Sequence, residues 1–168
     1  MKATELLKKQ HREVKTLFGK AKKASPGERN QVVDEIAEKL TTHMRIEEEI
    51  FYPAVRELAT KKTDEMIPEA YEEHHVVKLV LEELPEVDLD DEQFEAKMTV
   101  LEELIEHHVK EEEQEMFKVA EKLGDERLRA LGAEMEASAV TDDEPRRAKK
   151  SASAPAHQSA ASHSARHG

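Results

Sequence analysis

The sequence predicts an all-α protein: an up-down-up-down antiparallel four-helix bundle, with room for a short fifth helix and a disordered C-terminal tail. Three observations carry that expectation. Aromatic residues make up only 4% of the 168 residues and charged residues 38%, with five Gly and six Pro, a composition that suits long solvent-facing helices better than a sandwich or barrel. Apolar residues recur at helical spacing in four long segments. The turns between them are short, which makes sequential helices antiparallel neighbours.

The first segment runs from about Thr4 to Ala24, with Leu7, Val14, Leu17 and Phe18 on one face, and stops at Ser25-Pro26-Gly27. The second spans about Glu28 to Ala59 and turns Val33, Ile36, Leu40, Ile50 and Ala54 inward; Pro53 removes one backbone donor and is expected to kink or shorten it. The third is expected from Pro68 to Leu84, through Tyr71, Val77 and Leu81, with Pro85 closing it. The fourth starts at the Asp90-Asp91 cap and continues through Leu101, Leu104, Met116 and Val119 to Leu123-Gly124. Residues 125–137 suit a short fifth helix. This assigns one helical domain to 1–137 and a disordered, Ala/Ser-rich basic tail to 138–168, because the tail has almost nothing large to bury.

A formal net charge of −12 argues against nucleic acid and anionic membranes as partners and makes cations the natural guests. With no cysteine, disulfides, thiolate metal sites and thiol catalysis are excluded. The opening MKATELLKKQ alternates charged and apolar residues, and no stretch approaches the length of a membrane span, so a cytoplasmic location is expected.

Nine histidines are present. His157, His163 and His167 lie in the polar tail, and the other six fall in the four helical segments. His11 is four after Leu7 and three before Val14, on the buried stripe; His43 is three after Leu40 and seven before Ile50. His74 keeps better apolar company than His75, and His108 better than His107, which shares its row with Glu103 and Glu111. A single histidine on an apolar face is ordinarily a hydrogen-bonded core residue. One in each of four consecutive helices asks for another reason.

The glutamates sharpen the case. His43 and Glu47, like His108 and Glu112, are four apart, so each pair projects side by side from one helix face, about 6 Å apart along the axis. Glutamate fills 30 of 168 positions, so one such pair carries little weight. In the run Glu47-Glu48-Glu49 only Glu47 falls in register with the buried stripe, where a carboxylate must be paired, protonated or metal-bound. The stretch HMRIEEEIFYPA also superposes on HVKEEEQEMFKVA, with His43 on His108, Glu47 on Glu112 and Tyr52 on Phe117. A weaker match relates the first and third segments, His11 to His74 and Val14 to Val77. If the halves pack with approximate two-fold symmetry, His11, His43 and Glu47 face His74, His108 and Glu112.

Four imidazoles and two carboxylates in a bundle interior suit two adjacent transition-metal ions, iron or manganese better than calcium or magnesium, with zinc also compatible. The carboxylates can bridge, which leaves open positions for a small ligand. Taken together, the order H, HxxxE, H, HxxxE, with EEE and an aromatic after the second-helix pair, resembles the hemerythrin-like family, the HHE cation-binding domain, over residues 1–123. The resemblance implies a four-helix bundle around two iron ions held by His11, His43, Glu47, His74, His108 and Glu112, which meets dioxygen, peroxide or nitric oxide. The oxygen carriers of that family have HxxxH on the third helix and an HxxxxD carboxylate. Here Ala70 and Lys78 flank His74 at four residues' distance, and the fourth helix carries HxxxE. Those departures point to the bacterial type, with roles in redox sensing, peroxide removal, nitric-oxide response or iron handling; oxidase or peroxide-consuming activity at such a centre stays open. Tyr71 is expected in the core with its hydroxyl satisfied, or near the metals, and Glu73 and Glu111 as acceptors for imidazole N–H groups. Two alternatives compete: a metal-free helical interaction protein, and a ferritin-type iron oxidase or store, for which only Glu72-x-x-His75 has the required spacing.

Overall fold

Helices account for every regular element among the described residues of the computed structural model, which cover 1–152, with side chains to residue 140. The tail histidines and residues 153–168 lie outside the described residues. The elements are α1 (Ala3–Ala21), α2 (Pro26–Ile46), a π-helical turn (Glu47–Phe51), α3 (Tyr52–Arg56), α4 (Lys61–Glu83), a 3₁₀ turn (Leu84–Glu86), α5 (Glu92–Glu111), a second π turn (Glu112–Met116), α6 (Phe117–Ala120), a second 3₁₀ turn (Glu121–Leu123) and α7 (Asp125–Ala152). Among them, no helix is long and apolar enough to cross a membrane.

Local chemistry explains the boundaries. Ser25 and Glu28 form a reciprocal capping box at α2, with Pro26 at the first helical position. The Asp91 side chain accepts a 2.8 Å bond from Gln93 N–H at the start of α5, as the Asp90-Asp91 signal predicts. The third helix starts earlier than expected, at Lys61, because Thr60 caps it by accepting from Thr63 N–H. Pro68 then lies inside α4 on its exposed side, where the one lost hydrogen bond can be replaced by water. The second segment is not one kinked helix: the chain widens into a π turn at Glu47–Phe51 before Pro53. Pro53 is not the cause, since the matching segment Glu112–Met116 makes the same turn with Lys118 at the matching position.

The fifth helix is longer than the expected 125–137 and continues through Ala152, so its backbone takes in the first part of the assigned tail. The reason is visible where side chains are described. Ala139 packs against the core, and Arg45 donates to Ser138 through Nη1 to Oγ (2.8 Å) and Nη2 to the carbonyl oxygen (3.0 Å). Earlier in α7, Leu128, Leu131 and Met135 are buried, and Gly132 lies against the N-terminus of α1, where a Cβ would stand 2.3 Å from the Met1 carbonyl oxygen.

The core falls into two apolar clusters. One gathers Leu7, Ile46, Phe51, Tyr52, Ile67, Met116, Phe117 and the buried face of α7. The other gathers Val14, Leu17, Phe18, Ile36, Leu40, Met44, Val77, Phe94, Leu101 and Ile105. α1, α2 with its π turn, α4, and α5 with its π turn each pass from one cluster to the other, whereas α7 stays with the first; His11, His43, His74 and His108 occupy the crossings.

Candidate metal centre

All six sequence-predicted side chains meet in this polar layer, and all are buried. His11 and His43 form one pair, with ring centroids 4.9 Å apart; His74 and His108 form the other, at 4.7 Å. Glu47 spans the pairs: Oε1 lies 3.1 Å from His43 Nε2, and Oε2 3.3 Å from His74 Nε2. Glu112 Oε2 lies 3.2 Å from His11 Nε2. The donor atoms fall into two groups that share Glu47, one made with His11, His43 and Glu112, the other with His74 and His108.

The outer shell determines which imidazole atoms face inward. Each Nδ1–H donates outward: His11 to Glu113 (2.9 Å), His43 to Gln10 (2.8 Å), His74 to Glu48 (2.9 Å) and His108 to Glu73 (2.7 Å). Three of the partners are carboxylates, which only accept, and the Gln10 atom facing His43 is the amide oxygen, so Nδ1 carries a proton in each ring and Nε2 faces the interior. The two π turns complete the arrangement. In each, the N–H of the fifth residue after the inward glutamate, Tyr52 or Phe117, bonds back to the glutamate carbonyl. That i to i+5 register returns an aromatic residue to the face its glutamate occupies, in keeping with the frequent placement of π bulges at functional sites.

The interior is therefore crowded with acceptors. His11 Nε2, Glu47 Oε1 and both oxygens of Glu112 are buried without a hydrogen-bond partner, and His74 Nε2 stands 3.2 Å from His108 Nε2. Burial, reinforced by the Glu112 charge, pushes Glu47 well above the usual carboxylate range. Burial would raise Glu112 as well, but contacts with His11 and His108 outweigh it and hold Glu112 low. Burial and the neighbouring imidazoles drive His43 well down, and burial with His108 takes His74 to about 4, so these rings stay neutral. Nitrogen donors converging with carboxylate oxygens, four of these atoms buried without a hydrogen-bond partner, have the donor chemistry of a site for borderline divalent metals.

Some expectations need correction. Glu48 is not merely solvated: it accepts from His74 Nδ1 and pairs with Lys78 at 2.6 and 2.8 Å. Glu111 is no acceptor for an inward histidine and instead lies 3.4 Å from His107. Glu73 does accept from His108. Tyr71 meets the first of its two expectations: it packs against the core with its hydroxyl satisfied, donating to the Glu48 carbonyl oxygen at 2.9 Å. The tyrosine at the centre is Tyr52, with its hydroxyl 3.2 Å from His74 Nε2 and 3.5 Å from Glu47 Oε2; burial pushes it well above the usual phenol range. Gln10, Glu48, Tyr52 and Glu113 went unassigned, although Glu47-Glu48 and Glu112-Glu113 repeat at one spacing and flagged the outer carboxylates.

These features define a buried cluster of histidines and carboxylates in a helical bundle that could hold metal ions. The sequence profile of the Hemerythrin HHE cation binding domain matches residues 2–120, and the chain belongs to that family. It is also similar to a crystal structure of a hemerythrin HHE cation binding domain-containing protein from Mycobacterium kansasii, with a TM-score of 0.73 and 30% identity over 84% of this chain and 86% of that one. No curated protein matches the chain.

Proposed function

We propose that the chain is a cytoplasmic non-haem di-iron protein of up-down-up-down topology that binds or reduces a small oxygen- or nitrogen-derived ligand, such as dioxygen, peroxide or nitric oxide, in redox sensing, stress response or iron handling. The observation that carries this reading is Glu47 reaching both histidine pairs beside His11 Nε2 and the two Glu112 oxygens, which are buried without a hydrogen-bond partner. His11 and His43 would hold one ion, His74 and His108 the other, with Glu47 shared and Glu112 beside His11. Iron bound there supplies redox chemistry and exchangeable positions for a ligand.

The surrounding residues set what can reach those positions. A chamber of about 10 Å³ lies among the four imidazoles, walled by Val14, Leu40, Met44, Ile105 and Val109. That is at the lower limit of the roughly 10–15 Å³ a single water needs, so the chamber excludes bulk water from this side of the centre. Outside it, a groove of about 490 Å³ between α1 and α5 reaches His11, with Arg12, Lys15 and Lys110 balanced by Glu102, Glu106 and Glu113 in its lining, which admits polar guests without selecting for charge. On the far side, the Tyr52 hydroxyl can direct its proton toward Glu47 Oε2.

Metal analysis by plasma mass spectrometry, with absorption spectra before and after peroxide, tests the proposal. The expected result is about two irons per chain and a charge-transfer band in the near ultraviolet or visible; fewer than about 0.2 metals per chain after anaerobic ferrous reconstitution would overturn it.

A further inference from the structure

We infer that the acidic cleft between α4 and the turn joining α5 to α6 is the route by which a divalent cation reaches the centre; this rests on the metal-centre reading above. The cleft has a volume of about 140 Å³, and its lining includes Glu69, Glu73, Glu111 and Glu115 together with His108 and Glu112 of the centre. It has no lysine or arginine in its lining, although Lys62 pairs with Glu115 from outside at 2.8 Å. The groove at His11, by contrast, balances Arg12, Lys15 and Lys110 against Glu102, Glu106 and Glu113. Of these two approaches to the buried site, only the cleft presents a net charge, and that charge is negative.

What makes the cleft more than a run of acidic residues is where it leads. Glu112 is 1% exposed, and neither of its oxygens accepts a hydrogen bond. A cation moving down the cleft therefore ends on unsatisfied carboxylate oxygens. Glu73 joins outside to inside: Oε2 accepts from His108 Nδ1 at 2.7 Å, while Oε1 lies 3.4 Å from the exposed His107, itself 3.4 Å from Glu111. Glu73, His107 and Glu111 together offer three ligand atoms within 4.8 Å of one another, a place where an arriving ion can exchange part of its water shell.

The internal duplication supplies an independent comparison. His11 and His74 are 63 apart, and His43 and His108 are 65 apart. Applied to the cleft, those offsets place Glu69, Glu73, Glu111 and Glu115 opposite Leu6, Gln10, Ile46 and Ile50. Leu6 and Ile46 are buried and Ile50 packs on them, in the cluster that Leu128, Leu131 and Met135 of α7 complete. One face of the repeat is thus apolar and sealed by α7, while its counterpart is open and carboxylate-lined.

The test is the rate at which metal-free protein takes up cobalt(II), followed in a stopped-flow instrument by the d–d absorption of the bound ion. The triple variant E69Q/E111Q/E115Q leaves Glu73 and all six residues of the centre intact; E35Q/E82Q/E86Q makes the same charge change on exposed glutamates outside the cleft. The cleft variant is expected to load about tenfold more slowly at low ionic strength, to reach the same final stoichiometry, and to lose most of the salt dependence of the unaltered chain, whereas the control variant loads at nearly the unaltered rate. Equal rates for all three proteins, or equal slowing in both variants, would overturn the inference while leaving the centre standing. An unaltered chain that takes up no metal would overturn both.

Discussion

Gln10 and Glu73 occupy matching positions in the two halves of the chain and do the same job with different charge: Gln10 accepts from His43 Nδ1 at 2.8 Å, and Glu73 from His108 Nδ1 at 2.7 Å. A carboxylate behind an imidazole raises its basicity more than an amide does. The histidine pairs are therefore not equivalent: both rings of the His74 and His108 pair are backed by carboxylates, and only His11 of the other pair is. Replacing Glu73 with Gln is expected to weaken one of two binding steps by about 10- to 100-fold in a chelator competition, and Gln10→Glu to strengthen the other. Two unchanged steps in both variants would show that the outer partners do not tune the centre.

Glu48 supports His74 in the same way, and Glu49 does not touch the centre. Glu48→Ala should lower metal affinity by about 10- to 100-fold, while Glu49→Ala leaves it unchanged. Glu47→Ala and Glu112→Ala should go further and abolish the second ion and any visible band. Equal effects at Glu47, Glu48 and Glu49 would contradict the register described here.

Tyr52 makes its contact from a fully buried position, whereas Tyr71 is only partly buried. Tyr52→Phe is expected to keep the metal content and to alter the spectrum and its response to peroxide, because only the hydroxyl near Glu47 and His74 is removed. Tyr71→Phe should leave the spectrum unmoved.

Two backbone features can be tested through stability alone. Ala59 has a positive φ of 46°, so Ala59→Gly should stabilise the metal-free protein by about 1 kcal/mol in urea denaturation. Gly132→Ala should do the opposite, by about 1–3 kcal/mol, since its Cβ meets the Met1 carbonyl and α7 must shift from α1.

Much of this was legible in the sequence because the buried stripes were. The spacing selected His74 over His75 and Glu47 over Glu48 and Glu49, and the structure buries the selected residues. It selected His108 over His107, whose side chain is 60% exposed. What escaped has identifiable causes. A pattern read at 3.6 residues per turn cannot show an i to i+5 turn, so Tyr52 looked like core and Tyr71 drew attention instead. Pro68 looked like a helix start, because the Thr60 and Thr63 cap was overlooked. Gln10 and Glu113 act across the bundle on rings far away in sequence, contacts that become visible only when the halves are superposed.

The central claim is that Glu47 joins two ions held by separate histidine pairs, and X-ray absorption at the iron edge of anaerobically reconstituted protein measures that most directly. The account predicts two irons per chain, nitrogen and oxygen ligation, and an iron–iron vector of about 3.5 Å that vanishes in Glu47→Ala. A single iron per chain with no metal–metal scattering, unchanged in Glu47→Ala, would contradict it.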